Sequence, residues 1–283
     1  MHTLTTIAEM RAALAARGSA KVGLVPTMGN LHEGHLSLVE ASRRSCDVTV
    51  VSVFVNPLQF GPNEDFERYP RTPTEDAALL ERAGADFRFA PSERDMYPNG
   101  RDGHVVVTVP SLTSILCGAH RPGHFDGVGT VVLKLFNIVM PARAFFGEKD
   151  YQQLTLIKTI CRQLDVSLEI VGIPTVRAAD GLALSSRNQY LSSDERARAP
   201  MIQRTLQEIR VALENGDRKY GALEQSGASK LTNGGFVVDY VSIRDADSLA
   251  APIDGDRDLV VLAAARLGRT RLIDNVRARR NVR

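Results

Sequence analysis

Between Val22 and Arg177 the chain alternates short apolar runs of strand length with longer runs of helical spacing. This alternation constrains the fold more than any single residue. VGLVPT (22–27) reads as a buried strand, HLSLVEASRR (35–44) as a helix, and VTVVSVFV (48–55) as a β-branched strand. A loop, NPLQFGPNEDFERYPRTP, leads to a helix from about Thr72, with Thr72 as cap, Pro73 at the first helical position and Glu75 completing a capping box. ADFRFAPS (85–92) reads as a short strand, VVLKLFNIVMP (131–141) as a buried helix and ARAFFGEKD (142–150) as a strand running into a loop. YQQLTLIKTICRQL (151–164) is a helix and SLEIVGIPTVR (167–177) a strand. Repetition of this kind calls for a parallel sheet covered by helices on both faces, a doubly wound α/β domain. Such sheets bind ligands beyond the carboxyl ends of their strands. TMGNLHEGH, NPLQFG and GEKD each follow a strand, so they are expected to collect at one edge.

At 283 residues the chain is longer than one ordinary core, and the texture changes after Arg177. A capping box, Ser192 to Glu195, is expected to open one long helix, and FVVDYVSIRD (236–245) and DLVVLAAARLGRTRLIDNV (258–276) read as strands with turns. The expected organisation is therefore a domain over residues 1–176 and a smaller α+β domain over 177–283, hinged near Pro174 to Arg177. At the N-terminus Thr6 and Glu9 have capping-box spacing ahead of a helix that Gly18 terminates.

Composition narrows the functional classes. Apolar residues make up 43% and charged residues 24%, the balance of a folded globular protein. The formal charge is only +2, and basic residues concentrate only at Arg277, Arg279, Arg280 and Arg283, so no basic stripe suggests a nucleic-acid partner. No run approaches the ~18 apolar residues of a membrane span, and no apolar signal core opens the chain. Cys46, Cys117 and Cys161 are odd in number and far apart, as expected of reduced thiols in the cytoplasm.

The segment His32-Glu33-Gly34-His35 admits two chemistries. Metal-binding helices place histidines at i and i+4, on one face; here the spacing is i,i+3 with a glycine between, and no third ligand stands at a companion spacing. No metal ligand is therefore assigned. The phosphate reading fits a strand, a loop with Gly29 and Gly34, and a following helix. Free backbone N–H groups at that helix start would form an anion site, with the imidazoles as further donors. The plainer alternative makes one histidine a turn cap and the other a surface residue. Lys149 in GEKD offers a compact charge for a polyphosphate, or merely a solvated loop. Asn56 and Gln59 place amides where a small substrate's hydroxyls and carboxylate would sit, or simply begin a turn. LSSRNQ (184–189) brings two hydroxyls and an arginine together, as a phosphate clamp or a helix cap.

Taken in order, PTMGNLHEGHLSLV, FVNPLQFGPNEDFERYPRTP, RPGHFDGV, FFGEKDYQQ and GLALSSRN closely resemble the signatures of the pantothenate synthetase family, the pantoate–β-alanine ligases. The motifs span residues 22 to 191. The resemblance implies a Rossmann-like nucleotidyltransferase domain with a parallel sheet, and a C-terminal domain acting as a lid. It implies ATP-dependent condensation of pantoate with β-alanine through pantoyl adenylate, releasing pyrophosphate and AMP, with Mg²⁺ carried on the ATP phosphates. Glu75 or Asp76 would be at hand to assist the Mg²⁺. The family expectation for assembly is a homodimer. By motif, Met28, Gly29, Asn30, Leu31, His32, Glu33, Gly34 and His35 would line the ATP site, with His35 catalytic and His32 its companion. Gly147, Glu148, Lys149 and Asp150 would also hold ATP, Lys149 on the phosphates. Val176, Leu184, Ser185, Ser186 and Arg187 would complete that pocket. Gln59 and Gln153 would bind pantoate, and Gln59 would also meet β-alanine. Asn30 stands where the family usually has alanine, and Leu184 where methionine is common. The competing readings are a same-fold nucleotidyltransferase that adenylylates a phosphate ester, which would want more basic residues near Gln59 and Gln153, and a non-enzymatic nucleotide-binding module.

Overall fold

The computed structural model describes residues 1–62, 64–253 and 255–280, so Asn63 of the NPLQFGPNEDF motif and Arg283 of the basic tail lie outside the described residues. The chain forms two compact units. One comprises Met1–Glu148 with Leu156–Pro174, the other Lys149–Thr155 with Thr175–Arg283.

The first unit is built on six parallel strands: β1 (His2–Leu4), β2 (Val22–Thr27), β3 (Val48–Val53), β4 (Phe87–Phe89), β5 (Arg143–Gly147) and β6 (Glu169–Ile173). Their spatial order is β1-β4-β3-β2-β5-β6. Connections proceed outward from β2 through β3 to β4, then jump back to β5 beside β2. The order therefore reverses between β2 and β5, the switch point where doubly wound sheets bind ligands. Val25, Val51 and Phe145 from the three central strands are buried with Leu38, Val39 and Leu80 from the helices Glu33–Ser45 and Pro73–Ala83. Burial on both faces explains why these strands read as continuous apolar runs. Helix His124–Val139 is apolar nearly all round and correspondingly buried over most of its length.

The second unit carries a three-stranded antiparallel sheet, β7 (Val237–Asp245), β8 (Asp258–Leu267) and β9 (Thr270–Arg279), with β8 in the middle. Helix Met201–Glu214 buries Ile202, Leu206, Ile209 and Leu213 against it, the i, i+3, i+4 spacing of an amphipathic helix.

The structure departs from the sequence expectations at several places, of which four are instructive. β1 was not foreseen, because three residues at an edge leave no period to read. The Ser192–Glu195 box is present, but it opens only Ser193–Arg198; Pro200 has no N–H to continue the ladder, and a new helix starts at Met201. Helix Tyr220–Asn233 also escaped notice, its amphipathic pattern diluted by Gly221 and Gly227. Gly227 has a packing role: a Cβ there would lie 2.8 Å from Ile209 Cδ1, so its absence lets the two helices approach. Finally, Thr72 does not form the expected box with Glu75. Its side chain makes no cap bond; its hydroxyl instead donates to Asp76, whose carboxylate is committed elsewhere.

Candidate active site

β2 ends at Thr27, whose hydroxyl donates to Ser52 O (2.7 Å) and accepts from Gly29 N (3.3 Å), tying the strand end to β3. The chain then turns through two successive left-handed residues, Gly29 (φ 81°) and Asn30 (φ 50°). At Gly29 a Cβ would fall 2.9 Å from Asp76 Oδ2 and 3.1 Å from Val53, so glycine is required for space as well as for φ. Asparagine suits this left-handed position, which it tolerates better than most non-glycine residues.

Asp76, buried to 1% exposure on helix Pro73–Ala83, holds this turn in place. Its Oδ2 accepts from Asn30 N (3.0 Å), its Oδ1 from Leu31 N (2.8 Å) and from the Thr72 hydroxyl (3.2 Å). Sequence reasoning missed this role and considered Asp76 only as an aid to Mg²⁺. The signal was present: an acid in the first helical turn, beside one already given a capping role.

The two histidines then form a reciprocal cap. His32 is the N-cap of helix Glu33–Ser45; its Nδ1 accepts from Gly34 N (3.1 Å), while His35 Nδ1 accepts from His32 N (3.3 Å). This is the capping-box arrangement with imidazoles in place of a hydroxyl and a carboxylate. The rings lie 4.2 Å apart between centroids, tilted by 39°. With each Nδ1 acting as acceptor, the neutral imidazole carries its proton on Nε2. Gly34 admits this packing, since a Cβ would lie 2.9 Å from the His32 ring.

One expectation therefore changes. The amides of Gly29, Asn30, Leu31, His32, Gly34, His35 and Leu36 all have partners within this segment, Thr27 or Asp76. They do not form the free backbone cradle that the strand–loop–helix pattern suggested. The i,i+3 spacing that argued against a metal helix is what a capping box requires. Among the described residues, no group of three or more His, Cys, Asp or Glu side chains is arranged to hold a metal ion.

Gln59 is buried in the loop after β3. Asn56 Nδ2 donates to its Oε1 (3.2 Å) and to Gly127 O (3.1 Å), while Tyr97 Oη donates to Asn56 Oδ1 (2.8 Å). Fixing Oε1 in this way turns Nε2 to Met28, with 2.8 Å between Nε2 and Sδ. The loop is braced by the RPGHFDGV motif. His124 Nδ1 donates to Gln59 O (2.8 Å), and Arg121 holds Glu64 through two bonds of 2.6 Å. Burial opposes the Glu64 charge, but the Arg121 guanidinium outweighs it and keeps the carboxyl below the usual range. At Gly127 a Cβ would strike Leu58 O at 2.2 Å, so helix and loop meet through backbone. The sequence flagged this motif without a job; its job is to seat Gln59.

β5 delivers Gly147 and Glu148 beside the end of β2, at the switch point of the first unit. Lys149, Asp150 and Gln153 belong to the second unit, as do Val176 and Leu184 to Arg187. There Lys149 Nζ lies 3.3 Å from Asp150 Oδ2, and Gln153 is partly exposed on helix Tyr151–Gln163. Leu184 N donates to Val176 O (3.0 Å), and Ser185 caps the short helix Ser186–Tyr190 by accepting from Arg187 N (3.3 Å).

Comparisons with known proteins identify the family. The family model described as pantoate-beta-alanine ligase matches residues 2–277. The pantothenate synthetases of Pseudomonas putida and Stutzerimonas stutzeri are 53% and 54% identical over 98% of this chain and 97% of their own length. The crystal structure of pantothenate synthetase from Thermus thermophilus superposes with a TM-score of 0.91 at 47% identity, covering 98% of this chain and 99% of that one. A pantoate-beta-alanine ligase from Francisella tularensis, complexed with beta-gamma ATP and beta-alanine, gives a TM-score of 0.81 at 34% identity over 98% and 97%.

Proposed function

The chain belongs to the pantoate–β-alanine ligase family and joins pantoate to β-alanine with the consumption of ATP, and from that premise we propose that it does so through a pantoyl-adenylate intermediate. A pantoate carboxylate oxygen attacks the α-phosphorus of ATP, the α–β bridging bond breaks, and pyrophosphate leaves with its electron pair. The β-alanine amine then attacks the acyl carbon, loses a proton and expels AMP.

The observation that carries the residue assignment is the reciprocal histidine cap. By committing both Nδ1 atoms to backbone amides, it sets the His32 and His35 Nε2–H groups as oriented donors on a helix start. Donors held this way need no reorganisation when charge builds on the non-bridging oxygens. His35 is assigned to the α-phosphate and His32 beside it. Met28 to Gly34, Gly147, Glu148 and Asp150, Val176 and Leu184 to Arg187 complete the ATP contacts, and Lys149 lies on the phosphates. Gln59, its amide orientation set by Asn56, reads the pantoate carboxylate and hydroxyls and meets β-alanine; Gln153 contributes a second amide to pantoate. Amides orient a carboxylate without attacking the activated acyl group.

Mg²⁺ is assigned to the ATP phosphates. The described residues offer no ready-made cluster of ligands, and Mg²⁺ in ATP sites commonly relies on phosphate and water oxygens. The carboxylate of Asp76 is engaged by backbone amides, which leaves exposed Glu75 as the remaining candidate to assist. The proposal retains residues 1–176 as the nucleotide and pantoate domain, 177–283 as a lid, a cytoplasmic setting and a homodimer. No helix among the described residues is long and apolar enough to cross a membrane.

The test is AMP release with pantoate and β-alanine each omitted in turn. Release only when both are present supports the reading; retention of AMP in the product points to a transferase.

A further inference from the structure

We propose that Asp274 and Asn275, consecutive residues of β9, are positioning residues that set the two ATP-contacting segments of the second unit from one strand. The inference rests on the assignment of Lys149 and Ser185 to Arg187 to ATP given above.

The two side chains leave opposite faces of the strand, and each grips a different segment. Asn275 Nδ2 donates to the backbone carbonyl of Lys149 (2.9 Å). Asp274, buried, receives the Arg177 guanidinium in a two-pronged pair of 2.7 and 2.8 Å. Arg177 extends this hold, donating to Gly181 O (3.0 Å) and to Asn275 O (3.4 Å). The Val176–Leu184 loop is thereby closed, with Leu184 N on Val176 O and Ala178 N on Leu182 O. Ser185 to Arg187 emerge from its end. The anchor itself is stiff: Asn275 N donates to Asp274 Oδ1 (2.8 Å), and β9 is paired along its length with β8, most of which is buried.

The bond to Lys149 is made by its carbonyl, so it fixes where the lysine's backbone stands while leaving the ammonium to the phosphates. The segment has a second tether, Tyr151 Oη on Ala246 O (2.9 Å). Loss of the Asn275 bond should therefore displace Lys149 rather than release the chain. A displacement of about 1 Å at a group that positions a reacting phosphate can cost about 100-fold in rate.

The experiment is a double-mutant cycle on the full chain, reading pantoate-dependent exchange of pyrophosphate into ATP without β-alanine, with melting temperatures alongside. Asn275→Ala is expected to lower the maximal exchange rate about 10- to 100-fold. Placed on Lys149→Ala it should cost no more than about twofold further, because the residue it acts through is gone. Asp274→Asn should raise the KM for ATP and leave the KM for pantoate unchanged. Full additivity of Asn275→Ala and Lys149→Ala, or a wild-type rate for Asn275→Ala, overturns the proposal. A silent Lys149→Ala overturns it too, by removing the group it serves. Absence of exchange in the wild-type enzyme refutes the adenylate reading instead, a separate result. If Asn275→Ala fails to fold, Asn275→Ser carries the same cycle.

Discussion

Asp76 offers the sharpest perturbation of the nucleotide loop. It is buried and touches no assigned substrate group, yet its two oxygens hold the amides of Asn30 and Leu31. Hydrogen bonds to a charged acceptor contribute about 1.5–3 kcal/mol each, and a buried amide left unpaired costs about 1–3 kcal/mol. Removing a buried carboxylate recovers part of that loss through relief of its desolvation. Asp76→Ala is therefore expected to destabilise the chain by about 3–4 kcal/mol. At about 2–4 °C per kcal/mol for a folding unit of this size, the melting temperature should fall by roughly 10 °C. Asp76→Asn keeps one acceptor oxygen and should lose about half as much. Because the loop leads directly into the histidine cap, pyrophosphate exchange at a temperature where the variant is folded should drop about 100-fold. Raising Mg²⁺ should not restore it. Wild-type melting would refute the loop-holding role, and recovery at high Mg²⁺ would show Asp76 to be a metal ligand instead.

His35→Asn keeps an acceptor near the Nδ1 position but has no Nε2–H; it should fold normally and lose about 10²–10³ in kcat, measured by AMP release. Gln59→Ala should raise the KM values of both pantoate and β-alanine, and a change confined to the KM for ATP would count against the shared-pocket assignment. Gly127→Ala drives a methyl into Leu58 O and should cost about 1–3 kcal/mol by urea unfolding, with the same double rise in KM as the loop bearing Gln59 shifts. Glu64 is held below the usual carboxylate range in the fold, so its contribution to stability is present above its unfolded pKa and is lost as pH falls through the lowered folded value. Glu64→Gln should therefore flatten the acid limb of a stability–pH curve while leaving its neutral region without that pH dependence.

The central sheet was legible because burial on both faces makes a strand apolar at every position, a pattern that local reading detects. The runs at Val22–Thr27 and Val48–Val53 are of this kind. The Thr6–Glu9 and Ser192–Glu195 boxes were legible because both halves lie three residues apart. The histidine cap has the same spacing; the sequence reading weighed one histidine as a turn cap but not the reciprocal pair, because imidazoles rarely take both parts. What the sequence could not disclose is long-range. Asp76 reaches Asn30 across 46 positions, Arg121 reaches Glu64 across 57, and Arg177 reaches Asp274 across 97. None of these partners advertises the other. The motif residues were recognisable by resemblance, whereas the residues that hold them emerged only from the folded chain.

The most direct test of the account follows an oxygen atom. With ¹⁸O in the carboxylate of pantoate, attack on the α-phosphorus makes the labelled oxygen the bridge of the adenylate, and amine attack at the acyl carbon leaves that oxygen on the phosphate. Mass spectrometry should then find one ¹⁸O per AMP formed and none in pyrophosphate. Label in pyrophosphate, or its absence from AMP, would contradict activation of pantoate as an adenylate.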